Sequence, residues 1–263
     1  MRVTMLVDNI AADAGMRAEH GLSLYIETAG HRILFDTGQS DAFLRNAEAL
    51  DIDLATVDMA IISHGHYDHT RGLPHFFALN DHAPVYLQRR AFERHGASDG
   101  RNIGMEPALL ESGRFIFTDD DLSLGEGLTL CTCNSKARPF DSNSNGLFMF
   151  HDGQPVQDDF EHEQYLCIDE GNRRVVISGC SHKGILNIMH WLHPDVLIGG
   201  FHFMGVELSE SGKDILDRAA EELTTYKTDY YTGHCTGKKQ FDWLKSRMGE
   251  RLHYFAGGMT LEF

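Results

Sequence analysis

Short apolar runs alternate with amphipathic segments along the whole chain. Residues 1–7 read as a first strand. Residues 22–27 alternate apolar and polar as a second, and Gly30-His31 turns the chain into an apolar hairpin partner at 32–35. Asp36-Thr37-Gly38 closes that strand. The spacing over 40–50 predicts a helix with Ser40 as its N-cap. A buried strand is expected at 59–62, a short helix at 73–79 and a strand at 85–87. Residues 89–113 look irregular, and strands recur at 115–117 and 128–131. The stretch 134–160 is rich in Asn, Ser and Asp and reads as a long functional loop.

The C-terminal third is the most regular. Strands are expected at 174–178, 195–198, 230–232 and 253–255. Helices are expected between them, at 184–192, 211–225 and 239–248. This alternation predicts an α/β fold, and the lack of a biased linker or short repeat predicts one domain over 1–263. Three successive strands end in Gly-containing turns that carry His: Gly179-Cys180-Ser181-His182, Gly199-Gly200-Phe201-His202 and Gly233-His234-Cys235. Ligands gather where strands end and loops begin.

Composition narrows the partners. The 23 basic and 39 acidic residues give a net charge of −16, which argues against nucleic acid or an anionic membrane surface. No apolar run is long enough to span a bilayer and the first residues form no export signal, so a cytoplasmic protein is expected. Five cysteines suggest no disulfide framework. Cys131 and Cys133 are expected on one face of a strand as packed, reduced thiols.

The densest chemistry follows the strand at 59–62. His64-Gly65-His66-Tyr67-Asp68-His69 places four metal-binding side chains in six residues. Imidazole nitrogens and a carboxylate suit a borderline cation such as zinc, with manganese and iron as alternatives. Histidines 75, 82, 95, 190 and 193 have no such context, and His151 and His162 sit in polar segments; all are expected to be satisfied or solvated.

Asp36 in F-D-T-G, the H-G-H-Y-D-H motif, S-G-C-S-H at 178–182 and T-G-H-C-T-G at 232–237 resemble the metallo-β-lactamase superfamily. The resemblance implies an αββα sandwich of two facing mixed sheets with outer helices. It implies two divalent ions, His64 and His66 on one, Asp68 and His69 on the other, and Asp36 orienting a ligand. The family's bridging Asp is replaced here by Cys180, so His182 or Cys180 takes that place. No family-type third-motif His occurs between 128 and 150, and His182 serves in its stead. His234 is favoured over His202 as the last ligand, the other contacting substrate. His20 and Lys183 are candidate substrate contacts, and Asp68, His20 and His202 the catalytic candidates.

Asp8-Asn9, Glu19-His20-Gly21 and the 178–187 segment further resemble the branch that includes dihydropterin-6-methyl transferases alongside metal-dependent hydrolases. The implied activity is hydrolysis of a small phosphorylated metabolite through a metal-bound hydroxide. The alternatives are dihydropterin-methyl transfer with a metal-clamped diphosphate, and a metal-binding sensor without catalysis. Phe140, Phe148, Phe160, Phe201 and Phe203 are candidates for a pterin slot.

Overall fold

The computed structural model describes residues 1–28, 30–142 and 146–263. Two seven-stranded mixed sheets face each other. The first runs in the order Thr260–Glu262, Arg2–Val7, Ser23–Thr28, His31–Phe35, Met59–Ile61, Val85–Gln88, Phe115–Thr118. The second runs Leu252–Tyr254, Asp229–Thr232, Val196–Ile198, Arg173–Ile177, Tyr165–Glu170, Leu128–Cys131, Leu122–Gly125.

Alternation along each strand builds three apolar layers, because successive side chains point to opposite faces. Ile33, Phe35 and Ile61 of one sheet meet Leu166, Val175, Ile177 and Ile198 of the other. Leu34, Ala60 and Val85 point outward onto Phe43, Leu73 and Phe76 of the helices Ala42–Ala49 and Leu73–Leu79. On the far side, Val176, Leu197 and Tyr230 pack on helices Ile185–Leu192, Glu210–Thr225 and Lys238–Met248. Both faces of each sheet are covered, which is why the central strands read as continuous apolar runs. The architecture is the expected αββα sandwich.

Several elements differ from expectation. The helix expected at 40–50 is Ala42–Ala49, and its N-cap is Asp41, not Ser40; Ser40 Oγ accepts from Ala42 N at 3.1 Å from one residue before the cap. The polar stretch 134–160 holds a hairpin, Phe148–His151 with Gln154–Gln157, paired to His95–Gly96; residues 143–145 of it lie outside the described residues. Strands Leu122–Gly125, Tyr165–Glu170 and Thr260–Glu262 have no counterpart in the reading from sequence. Cys133 lies beyond the strand Leu128–Cys131 with φ +53, so it does not share a strand face with Cys131, whose Sγ is 3.2 Å from Cys167 Sγ. Among the described residues no helix is long and apolar enough to cross a membrane.

The sheets' parallel portions set the position of the site. The strands ending at Phe35 and Ile61 run parallel, as do those ending at Ile177, Ile198 and Thr232. Their C-terminal ends share one edge of the sandwich. There the sheets touch: Gln164 N donates to Ser63 O (2.8 Å) and Gln164 Nε2 to Ile62 O (2.9 Å). A Cβ on Gly179, itself at φ +64, would lie 2.5 Å from Ser63 Oγ, so this crossing requires glycine.

Candidate metal centre

Asp36 and Ser63 leave adjacent strand ends and aim the motif's imidazoles. Asp36 is fully buried, and its Oδ1 accepts from Ser63 N at 2.7 Å. Its Oδ2 accepts from Ser63 Oγ and His69 Nδ1, both at 2.7 Å. The Ser63 hydroxyl proton is thereby committed, and its oxygen accepts from His64 Nδ1 at 2.8 Å. Both rings then turn an unprotonated Nε2 inward. A ligating histidine needs this arrangement, its second nitrogen held by an acceptor.

Other loops bring the facing groups. His64 Nε2 lies 3.2 Å from His182 Nε2, and His69 Nε2 lies 3.2 Å from Cys180 Sγ. Asp68 Oδ2 lies 3.3 Å from His234 Nε2, 3.3 Å from His20 Nε2 and 3.6 Å from His69 Nε2. His234 is held from behind: its Nδ1 donates to Asn9 Oδ1 (2.9 Å) and its backbone N to Asp8 Oδ1 (2.5 Å). His64, His66 and His182 converge as one group, and His64, His69 and Cys180 as another. The rings of His64 and His69 sit 4.2 Å apart, so the two groups are contiguous.

The electrostatics match a place built for cations. Burial, reinforced by His69, His66 and His182, pushes His64 well below its ordinary pKa. Burial and its neighbours His202 and His66 do the same to His182. Burial alone would raise the Asp68 carboxyl, yet His69, His234 and His20 hold it well below the usual carboxylate range. Burial would lower His234, but Asp68 and Cys235 carry it up to about 9. Burial raises the Cys180 thiol. A divalent cation fits these residues: imidazoles of His64 and His182 kept neutral with lone pairs turned inward, an ionised carboxylate at Asp68 and a thiol at Cys180.

The sequence of a family model for the metallo-β-lactamase superfamily matches residues 16–203, well over half of the chain. The chain belongs to the metallo-β-lactamase superfamily. It is 28% identical, over 99% of its length and 95% of the relative's, to a 7,8-dihydropterin-6-methyl-4-(β-D-ribofuranosyl)-aminobenzene-5′-phosphate synthase of Methanocaldococcus jannaschii. A solved metal-dependent hydrolase of the β-lactamase superfamily is 29% identical, with TM-score 0.82, covering 100% of this chain and 99% of that one. The zinc-bound PqqB of Methylobacterium extorquens shares the fold at 14% identity and TM-score 0.59, covering 100% of both chains.

The structure thus brings together His64, His66, Asp68, His69, Cys180, His182, His234 and, from behind, Asp36. His182 and Cys180 are both at the centre, His182 facing His64 and Cys180 facing His69. His202, with a strained φ of +56, joins Cys180 and His182, its ring centroid 4.1 Å from that of His182 and tilted by 55°. His20 is partly exposed beside Asp68.

Lys183 corrects the expectation of a substrate contact. It is fully buried, and its Nζ donates to Thr132 O (2.6 Å) and Glu163 O (2.7 Å), so it is an internal strut. Burial first, partly offset by Glu163, brings its pKa down to about 8. Phe160, Phe201 and Phe203 are likewise buried; Phe160 stacks on His182 at 4.8 Å and packs the centre instead of lining a slot.

Reading from sequence missed Glu163, which accepts from His182 N (2.6 Å), Lys183 N (3.0 Å) and Tyr165 Oη (2.7 Å) and so fixes the His182 turn. The signal was the run E-H-E-Q at the start of an alternating Y-L-C-I-D-E strand. That strand runs antiparallel to Arg173–Ile177, which puts its start beside the other's end. His95 and His162, expected to be satisfied or solvated without a role, are buried against the motif.

Proposed function

We propose that the protein is a two-cation enzyme of hydrolase type acting on a small phosphorylated metabolite. One observation carries the reading: two contiguous sets of inward-facing ligand atoms meet at a shared strand edge. His64, His66 and His182 would hold one cation. Asp68, His69 and His234 would hold the other, with Cys180 reaching it beside His69. Zinc suits this donor set best. Such a pair supplies Lewis-acid activation of water and stabilises negative charge on a phosphoryl or acyl oxygen.

The chain's own groups supply binding. A cavity of about 150 Å³ opens onto the centre between His20, Tyr67, Arg101, Ile103, Leu147 and Met204. It shares His234 and Met204 with a larger cavity of about 630 Å³ walled by Lys238, Lys239 and Tyr254. Arg101, ion-paired with Asp99, and Lys238, ion-paired with Asp242, together with Lys239 put basic groups beside the centre that an anionic substrate can engage in exchange for those carboxylates. His20, partly exposed with its Nε2 3.3 Å from Asp68 Oδ2, is placed to contact a leaving oxygen at the mouth of the centre.

The relationship to the M. jannaschii synthase favours a second reading, transfer of a dihydropterin-6-methyl group to a phosphorylated aryl amine with release of diphosphate. Arg101, Lys238 and Lys239 then contact the diphosphate. Zinc-replete protein incubated with 7,8-dihydropterin-6-methyl diphosphate and the aryl amine separates the two readings. Diphosphate release with condensed product establishes transfer. Turnover of phosphodiesters, phosphomonoesters or lactones without condensation establishes hydrolysis. No turnover in either series contradicts both.

A further inference from the structure

Behind the centre lies a second set of buried polar groups: His66, His95, Asp158 and His162, with one ligand-type atom from each lying within 4.8 Å of all the others. All four are buried. The Nε2 atoms of His66, His95 and His162 have no hydrogen-bond partner. Leaving a buried polar group unmet costs about 1–3 kcal/mol, so three in one cluster point to a function.

The fixed hydrogen bonds assign the protons. His95 Nδ1 donates to Asp158 Oδ2 at 2.8 Å, which leaves a bare lone pair on His95 Nε2. His162 Nδ1 accepts from Gly65 N at 3.0 Å, which puts its proton on Nε2, 3.5 Å from Asp158 Oδ1. A protonated Nε2 cannot ligate, so the cluster is poorly suited to a cation of its own. His66 belongs to this set and also to the set of His64 and His182. An imidazole that offers one nitrogen to a cation carries its proton on the other, and that N–H needs an acceptor.

We propose that His95 and Asp158 are positioning residues for His66: Asp158 fixes the His95 proton on Nδ1, and the bare His95 Nε2 lone pair, unpartnered and within 4.8 Å of His66, is the acceptor that the second nitrogen of His66 takes when its first holds a cation. His162 serves the same end from the backbone side by holding Gly65. A Cβ on Gly65 would lie 2.2 Å from Ala91 O, so this close approach of the loop requires glycine. This assignment rests on the reading that His66 holds a cation.

The experiment is a double-mutant cycle on the full chain. Asp158→Asn keeps an acceptor for Phe160 N, now bonded to Asp158 Oδ1 at 2.8 Å, but turns an amide N–H toward His95. His95 must then protonate Nε2 and face His66 donor to donor. His95→Ala removes the relay altogether, so a change at residue 158 can no longer reach His66 through it. Zinc affinity is measured by chelator competition, and the absorption spectrum of the cobalt(II)-substituted protein is recorded.

Asp158→Asn should weaken one of two bound equivalents about 10- to 100-fold and shift the cobalt spectrum. In the His95→Ala background the same change should alter affinity less than about threefold, the coupling being the mark of a relay. Unchanged affinity, or an equal loss in both backgrounds, overturns the proposal. So does a third equivalent of zinc in the unsubstituted protein that Asp158→Asn removes. Nitrogen-15 shifts of the chelator-treated protein test it without any cation. The expected His95 tautomer is Nδ1–H, and Nε2–H overturns the proposal. If the unsubstituted protein binds no zinc, the centre's reading fails while the tautomer measurement still decides this one.

Discussion

Asp36→Asn isolates the hydrogen bonds that aim the motif. The left-handed φ of +57 at Asp36 is tolerated by Asn, so the backbone is not the variable. The retained carbonyl oxygen still accepts from Ser63 N. The new amide N–H group replaces the oxygen that now takes two donors, Ser63 Oγ and His69 Nδ1, both at 2.7 Å. Donor then faces donor. His69 relieves this by moving its proton to Nε2, the atom 3.2 Å from Cys180 Sγ, and the inward lone pair is lost. Loss of an orienting partner weakens cation affinity about 10- to 100-fold, or about 1.4–2.7 kcal/mol. The folded chain also loses two hydrogen bonds to a carboxylate, at about 1.5–3 kcal/mol each. Metal content after dialysis against graded chelator reads the first effect, and calorimetry of chelator-treated protein the second. A variant that keeps both equivalents at the unsubstituted affinity would refute the reasoning.

Three further outcomes follow from the same geometry. Lys183→Met strands two buried carbonyls and leaves Glu163 without its cation, so it should destabilise by about 2–4 kcal/mol; a normal melting temperature with a raised KM would restore Lys183 as a substrate contact. Gly65→Ala should abolish cation binding by displacing the loop from Ala91, measured as metal content of the purified variant. In chelator-treated protein, His64, His66, His162 and His182 are all held below their ordinary pKa, chiefly by burial. Below about pH 6.5 the unfolded chain protonates these rings and the folded chain does not, so stability falls with pH, by up to about 1.4 kcal/mol per ring per unit. His234, raised to about 9, has the opposite sign, its contribution present below about 6.5 and lost as pH rises through 9. Four rings outweigh one, and a melting temperature that rises between about pH 7.5 and 5.5 would contradict this.

The sandwich was legible because its parallel strands are buried on both faces and end in Gly-His turns. The motif at 64–69 was legible because its ligands are adjacent in sequence. Groups supplied across the sheets were not. Glu163, His95, Asp158 and His162 sit in charged, loop-like sequence, and only the antiparallel seat of Tyr165–Glu170 and the hairpin Phe148–His151 folds that sequence onto the centre. Lys183 misled for a similar reason. A lysine beside a ligand suggests substrate, yet the local turn directs it inward to Thr132 and Glu163.

The central claim is that two cations sit side by side at the strand edge. Anomalous diffraction at the zinc edge, from crystals of zinc-replete protein, tests it directly. The account predicts two peaks, one among His64, His66 and His182 and the other among Asp68, His69, Cys180 and His234. A single peak, or peaks only elsewhere on the chain, would contradict it.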